Sequence, residues 1–308
     1  MYFAILRTIQ MKKNLTLFSL LVIAFLLTAF DVEAQTKKVQ TDSALLYRIT
    51  GKHLKKPSYI FGTIHLICPK DMFPAETLKG YINQTAQIIL EIDLDDPSEL
   101  QKAAKGAVLA DGKTVKDFLK PDEYKKVDEM FKNYLGVSYD RFQTFKPNLA
   151  TTILLRSPKV ISCSAPVAYD SFLAETATVN KMPIIGLETV DAEFAALDSQ
   201  PFEKQIEGLN KIAADPEKFL GEFRNLYRIY LTQNSDDLFN LTAKQGDSDT
   251  ALLEKLLVER NAAWIPVIEK NIKVTPSFIG VGSAHLGGKK GVLNLLRSKG
   301  YKLTPIKL

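Results

Sequence analysis

The chain has 308 residues, with 40 Lys and Arg against 35 Asp and Glu for a formal charge of +5, and 46% apolar residues. That length supports one large domain or two small ones with real cores. The basic residues are scattered among acids along helical stretches, so they read as a solvated surface, which excludes a nucleic-acid footprint.

In chain order, the first feature is "KKNLTLFSLLVIAFLLTAFDVEA" (12–34): two lysines, an apolar stretch from Leu15 to Phe30, and small residues up to Ala34. This is the layout of a secretory signal peptide, with Met11 as the natural start. A membrane anchor fits less well, because the apolar core is short and the cleavage site good. Residues 1–34 are therefore expected to be a signal region and 35–308 a single domain, periplasmic or secreted after cleavage near Ala34. The charge falls to +4 when Arg7, Lys12, Lys13, Asp31 and Glu33 leave. No second apolar stretch is long enough to span a bilayer, so no stable membrane anchor is expected after cleavage. Cys68 and Cys163 would then meet an oxidising compartment, to pair or to stay as buried thiols.

"ALLYRIT" (44–50) and "SYIFGTI" (58–64) predict two strands around a turn, "GKHLKKP", whose His53 reads as solvent-facing. Pro74-Ala75-Glu76 opens a helix to about Gln84, and "QIILEIDL" (87–94) predicts a buried strand ending on acids. Residues 97–157 read as helices punctuated at Pro121, Gly136 and Pro147. A helix over 169–180 runs into a strand over 181–189 that ends on Glu188. Helices fill 191–272, with Pro266 expected to kink or split the last. Strand 277–282, helix 290–299 and strand 301–306 close the chain.

Two of the three histidines share one frame: Gly62-Thr63-Ile64-His65-Leu66 and Gly282-Ser283-Ala284-His285-Leu286. Each follows a strand and precedes a helix and a further strand, so the ends read as a duplicated β–loop–α–β unit around a helical middle. The fold class is α/β, mixed α+β, with a sheet core built from these units. Ligands gather at the carboxyl ends of strands in such sheets. There Gly is expected to let the backbone turn sharply, and the small hydroxyl residue to leave room beside the ring. Glu91 and Glu188 sit at two other strand ends in apolar text, where a buried carboxylate needs a cation or a hydrogen-bond donor. Two His and two Glu suit a divalent ion, Mn²⁺, Fe²⁺, Co²⁺ or Zn²⁺. Other readings stand beside this one: the histidines as satisfied structural residues, the acids as helix caps, Cys68 as nucleophile or ligand, and Arg260 as a solvated or a buried, paired cation. H-E-x-x-H, Walker A and G-x-S-x-G signatures are absent from the sequence, and "GVGSAH" ends on His285 where a dinucleotide loop needs Gly.

The paired "GTIHL" and "VGSAHLGG", the "LEID" and "GLET" acids, "ERNAAW" and the closing "GVLNLLRSKGYKLTPI" resemble the TraB/GumN family, with its pheromone-shutdown and Tiki-type members, over about residues 43–308. Members look like a branch of the erythromycin-esterase and ChaN-like superfamily with a duplicated α/β core. The resemblance implies a metal-dependent hydrolase; Tiki-type members are regarded as metalloproteases. On it, His65 and His285 match the motif histidines and would be ligands. Glu91 and Glu188 match the family's acids, one as ligand and the other as general base, and Arg260 matches its Arg-Asn pair and would steady a developing oxyanion or a substrate carboxylate. Asp170 sits where relatives carry an Asp before a helix. The expected partners are a peptide or small-molecule substrate. Two rival classes remain: a metal-free esterase-like hydrolase, and a non-enzymatic periplasmic binder of a metal, haem or peptide.

Overall fold

The computed structural model describes residues 44–245 and 250–308; the predicted signal region, with Met11 and Ala34, lies outside them. Its centre is one six-stranded sheet in the order β4-β3-β5-β2-β1-β6. The strands are β1 (Leu46–Thr50), β2 (Ser58–Thr63), β3 (Gln87–Leu90), β4 (Ile184–Gly186), β5 (Ser277–Gly282) and β6 (Lys302–Ile306). β2, β3, β4 and β5 run parallel, while β1 is antiparallel to both β2 and β6. β2 is buried along its whole length, as continuous apolar text in a parallel sheet requires.

Both motif-bearing strands are neighbours, paired Gly62 to Val281 and Thr63 to Gly282. The chain leaves β2 through helix α1 (Ala75–Ile82) and returns in β3, beyond β5. It leaves β5 through a helix at 292–298 and returns in β6, beyond β2 and β1. Each unit's return strand thus lies on the far side of the other unit's motif strand. Parallel crossovers are almost always right-handed, and two that run in opposite directions put their helices on opposite faces. The carboxyl ends of β2 and β5 are therefore the switch point of the sheet, where a crevice forms.

Between β3 and β5 the described residues other than β4 are mostly helical, and part of them build a second apolar cluster that includes Val127, Phe131, Tyr139, Leu154 and Leu209. Tyr134 and Ile212 pack against both clusters and join them. Three helices contribute side chains beside the strand ends: α2 (Tyr169–Asn180), α3 (Val190–Leu197) and α4 (Arg260–Ile272). The α2 bounds match the sequence expectation. Strands are shorter than expected, β3 and β4 most of all: β3 stops at Leu90 and β4 spans only Ile184–Gly186. Pro266 does not split its helix; α4 runs through it, held by buried Trp264, Ile265, Ile268 and Ile272. The departure from α geometry comes earlier, in a π-helical stretch at Glu254–Glu259 that delivers Arg260. Among the described residues no helix is long and apolar enough to cross a membrane.

Candidate active site

His65 lies two residues past the end of β2. Its Nδ1 is 2.7 Å from Oδ2 of Asp170, in the first turn of α2. The loop carrying His65 is tied to the segment entering α2 in two ways. Ile67 and Val167 exchange backbone hydrogen bonds, 2.8 Å each, and Cys68 forms a disulfide with Cys163, Cα to Cα 5.8 Å. The open question of the cysteines resolves as a pair. The other ring nitrogen, His65 Nε2, is buried with no hydrogen-bond partner among the described residues. Burial alone would push this imidazole down. The charge and hydrogen bond of Asp170, helped by Glu91 and Glu193, outweigh it and push the group up to about 9.

His285 closes a short 3-10 turn after β5, and its Nδ1 is 2.6 Å from Asn261 Oδ1. The Asn261 amide is oriented by its own Nδ2, which donates to the Lys290 carbonyl at 3.0 Å. Nδ1 of His285 therefore donates, and Nε2 keeps its lone pair, facing Arg260 Nη1 at 3.4 Å. The Trp264 ring lies 4.4 Å away, centroid to centroid. Burial pushes His285 down to about 3; the pull of Glu91 is countered by Arg260 and His65.

Arg260 is the hub. Its Nη2 donates to Glu91 Oε2 at 2.7 Å, its Nε to Glu188 Oε1 at 2.8 Å, and its Nη1 to the Leu256 carbonyl at 3.1 Å. Glu193 Oε1 lies 4.0 Å from Nη2, too far for a hydrogen bond, and is buried without a partner. Glu91 and Glu188 emerge side by side because backbone pairing continues past β3 and β4, Glu188 N–H donating to the Glu91 carbonyl at 3.0 Å. Neither acts as a helix cap. Thr189 and Glu99 serve the first turn of α3, accepting from Ala192 and Val190, while Glu91 Oε1 accepts the Gly282 N–H at 2.6 Å. Burial raises all three carboxyls, but not to the same end. Glu91 is pulled down to about 2 by Arg260, both imidazoles and the Gly282 N–H. Glu188 stays raised despite Arg260, and Glu193 is pushed up to about 8.

The motif glycines serve a different purpose from the sharp turn expected of them. Gly62 lies within β2 and Gly282 has φ −51°, conformations open to any residue. What they provide is space. A Cβ on Gly62 would lie 2.7 Å from Leu286 Cδ1 and 3.1 Å from Ser283 Cα, and one on Gly282 would meet Glu91 Oε1 at 3.2 Å. The first motif packs directly on the second.

The structure thus brings His65, His285, Glu91, Glu188 and Arg260 to one strand-end cluster, while His53 stays exposed in the β1–β2 turn. Sequence reasoning missed Glu193 and the role of Asn261. Glu193 had a signal: Val190, Glu193, Phe194 and Leu197 form an i, i+3, i+4, i+7 stripe with an acid on the apolar face. The expected sharing of one ion by His65, His285, Glu91 and Glu188 does not appear in this arrangement. Among the described residues no three His, Cys, Asp or Glu side chains stand at the spacing one ion would need. Arg260 stands among them instead.

The profile of the TraB/PrgY/gumN family matches residues 45–305. Among curated proteins the chain is similar to Metalloprotease TIKI2 of Danio rerio, 23% identical over 80% of this chain and 58% of the relative. It is also similar to Metalloprotease TIKI1 of Danio rerio, 21% identical over 80% and 60%, and to Metalloprotease TIKI1 of Homo sapiens, 23% over 80% and 59%. The chain spans less than two thirds of the length of these relatives. No solved structure matches. With the match running from β1 into β6 and both Gly-x-x-His turns inside it, the chain belongs to the TraB/PrgY/gumN family.

Proposed function

We propose that this protein is an exported, divalent-metal-dependent hydrolase acting on peptide bonds. The observation that carries the reading is the matched setting of the two imidazoles. Each has Nδ1 held by an oxygen, of Asp170 or Asn261, which leaves Nε2 of His65 unpartnered and turns the lone pair of His285 Nε2 to the site, where Arg260 Nη1 now faces it. That is how metal-binding histidines are oriented. The donor chemistry also fits: two imidazole nitrogens and a carboxylate, Glu91, within electrostatic range of both rings. His65, His285 and Glu91 would hold Mn²⁺, Co²⁺, Zn²⁺ or Fe²⁺. Such an ion, when bound, makes water a nucleophile near neutral pH and polarises the scissile carbonyl.

The chain's own residues do the rest. Asp170 and Asn261 fix the rings. Arg260 fixes Glu91 and Glu188 against each other. Glu188, whose carboxyl stays raised by burial while Arg260 and the Gly282 N–H hold Glu91 ionised, is the carboxylate assigned to proton transfer. Export is supported by the predicted signal region and by the Cys68–Cys163 disulfide, which belongs in an oxidising compartment. The metalloprotease names of the relatives support the peptide as substrate class.

A second reading is favoured by one observation, the His65–Asp170 pair with its unpartnered Nε2: water activated by that pair with no ion. Hydrolysis of a fluorogenic peptide library separates the two. The metal reading expects turnover that chelator abolishes, that Mn²⁺, Co²⁺ or Zn²⁺ restores, and that His65→Ala and His285→Ala lack. Turnover indifferent to chelator but lost in His65→Ala establishes the second reading.

A further inference from the structure

Three carboxylates, those of Glu91, Glu188 and Glu193, lie within 4.0 Å of one guanidinium, and all four side chains are at most 9% exposed. The guanidinium hydrogen-bonds to Glu91 and Glu188 but not to Glu193, and a buried acid without a partner is costly. The guanidinium also faces His285 Nε2 at 3.4 Å and holds Glu91 Oε2 at 2.7 Å. An ion on that nitrogen and that carboxylate would meet a like charge at contact distance. The site does contain somewhere for the guanidinium to go. Glu193 Oε1 is buried, unpartnered and 4.0 Å from the same Nη2 that now holds Glu91. The bond from Nε to Glu188 would act as the pivot, with Nη1 leaving the Leu256 carbonyl and swinging off His285 Nε2.

We propose that Arg260 is a resident counter-ion that competes with the metal: a divalent ion takes Glu91 only as the guanidinium moves from Glu91 to Glu193. The inference rests on the metal-dependent reading above. It gives Arg260 a duty other than holding an oxyanion or a substrate carboxylate, since its donors are committed to Glu91, Glu188 and the Leu256 carbonyl. It also accounts for an otherwise unsatisfied Glu193, which becomes the partner of Arg260 in the loaded state.

Competition and simple support predict opposite signs. The test is Zn²⁺ binding to the purified protein, measured by calorimetry with a competing chelator, for wild type, Arg260→Met, Glu193→Gln and the double variant. Removing the competitor is expected to tighten Zn²⁺ binding at least about tenfold. Removing the waiting acceptor, in Glu193→Gln, is expected to weaken it, and most of that loss disappears when Arg260 is also absent. A second readout needs no variant. Trp264 is the chain's single tryptophan and lies under the guanidinium, 4.9 Å from Cζ to ring centroid. Its emission should change saturably with Zn²⁺ in the wild type, so the proposal stays testable if Arg260→Met does not fold. If wild type binds Zn²⁺ and folded Arg260→Met binds it equally or more weakly, or Trp264 emission stays constant during binding, the competition is overturned and the metal reading stands. If wild type binds no Zn²⁺, both are overturned.

Discussion

Glu91 Oε1 accepts the Gly282 N–H at 2.6 Å, so the acid that follows β3 is fastened to the turn that carries His285. Through its other oxygen the same carboxylate holds Arg260, at 2.7 Å. One side chain therefore joins strand end, second motif and guanidinium. Removing one member of a buried pair leaves the other charge uncompensated, at a cost of about 3–5 kcal/mol. Glu91→Ala is expected to lose stability in that range in urea titrations, and Glu91→Gln less, because an amide oxygen can still accept the Gly282 N–H. A loss under about 0.5 kcal/mol for Glu91→Ala, the level of an ordinary surface change, would show that the cluster is not the structural keystone described.

His65 owes its orientation to Asp170. Asp170→Ala should leave the fold intact by circular dichroism yet weaken divalent-metal affinity about 10–100-fold, the usual effect of losing the partner that fixes a ligand ring. Unchanged affinity would mean the ring is held by other contacts.

Gly62 is where the two motifs touch. Gly62→Ala must push Leu286 and Ser283 aside, and overpacking of this kind costs about 1–3 kcal/mol. Because the shift lands on the turn that ends in His285, metal affinity should fall along with stability. A variant as stable as wild type, measured by thermal unfolding, would contradict the close packing of the motifs.

The Cys68–Cys163 disulfide closes a loop across a sequence separation of 95 residues, from the His65 turn to the approach to α2. Replacing both cysteines by serine is expected to cost about 2–5 kcal/mol in denaturant titrations. The wild type in reductant should approach the same value. Equal stability with and without reductant would exclude the bond as a fastener.

Much of this arrangement was legible in residue order. The shared Gly-x-x-His frame located β2 and β5, and α2 announced itself over 169–180. The acids at 91 and 188 stood out because burial in apolar text demands a partner. Arg260 stood out too, by its packed neighbours and by the resemblance, but not as the partner of these acids, since only the fold brings it against strand ends 169 and 72 residues away. Strand lengths were overread for a related reason. Apolar text continues past Leu90, but beyond it Glu91 keeps only its backbone bond from Glu188 while its side chain turns to Arg260 and the Gly282 N–H, so the regular strand ends at Leu90. The reason for the glycines was hidden because close approach between two distant turns leaves no local mark. Glu193 could have been found, as an acid on an apolar helical stripe; Asn261 could not, since its task appears only once His285 is beside it.

Whether both motif imidazoles serve one divalent ion is decided by metal analysis. Purified protein is stripped with chelator, reloaded with Mn²⁺, Co²⁺ or Zn²⁺, desalted and measured by plasma mass spectrometry beside His65→Ala and His285→Ala. About one ion per chain is expected in the wild type and none in either folded variant. Equal metal content in all three, or none in the wild type, would contradict a shared ion.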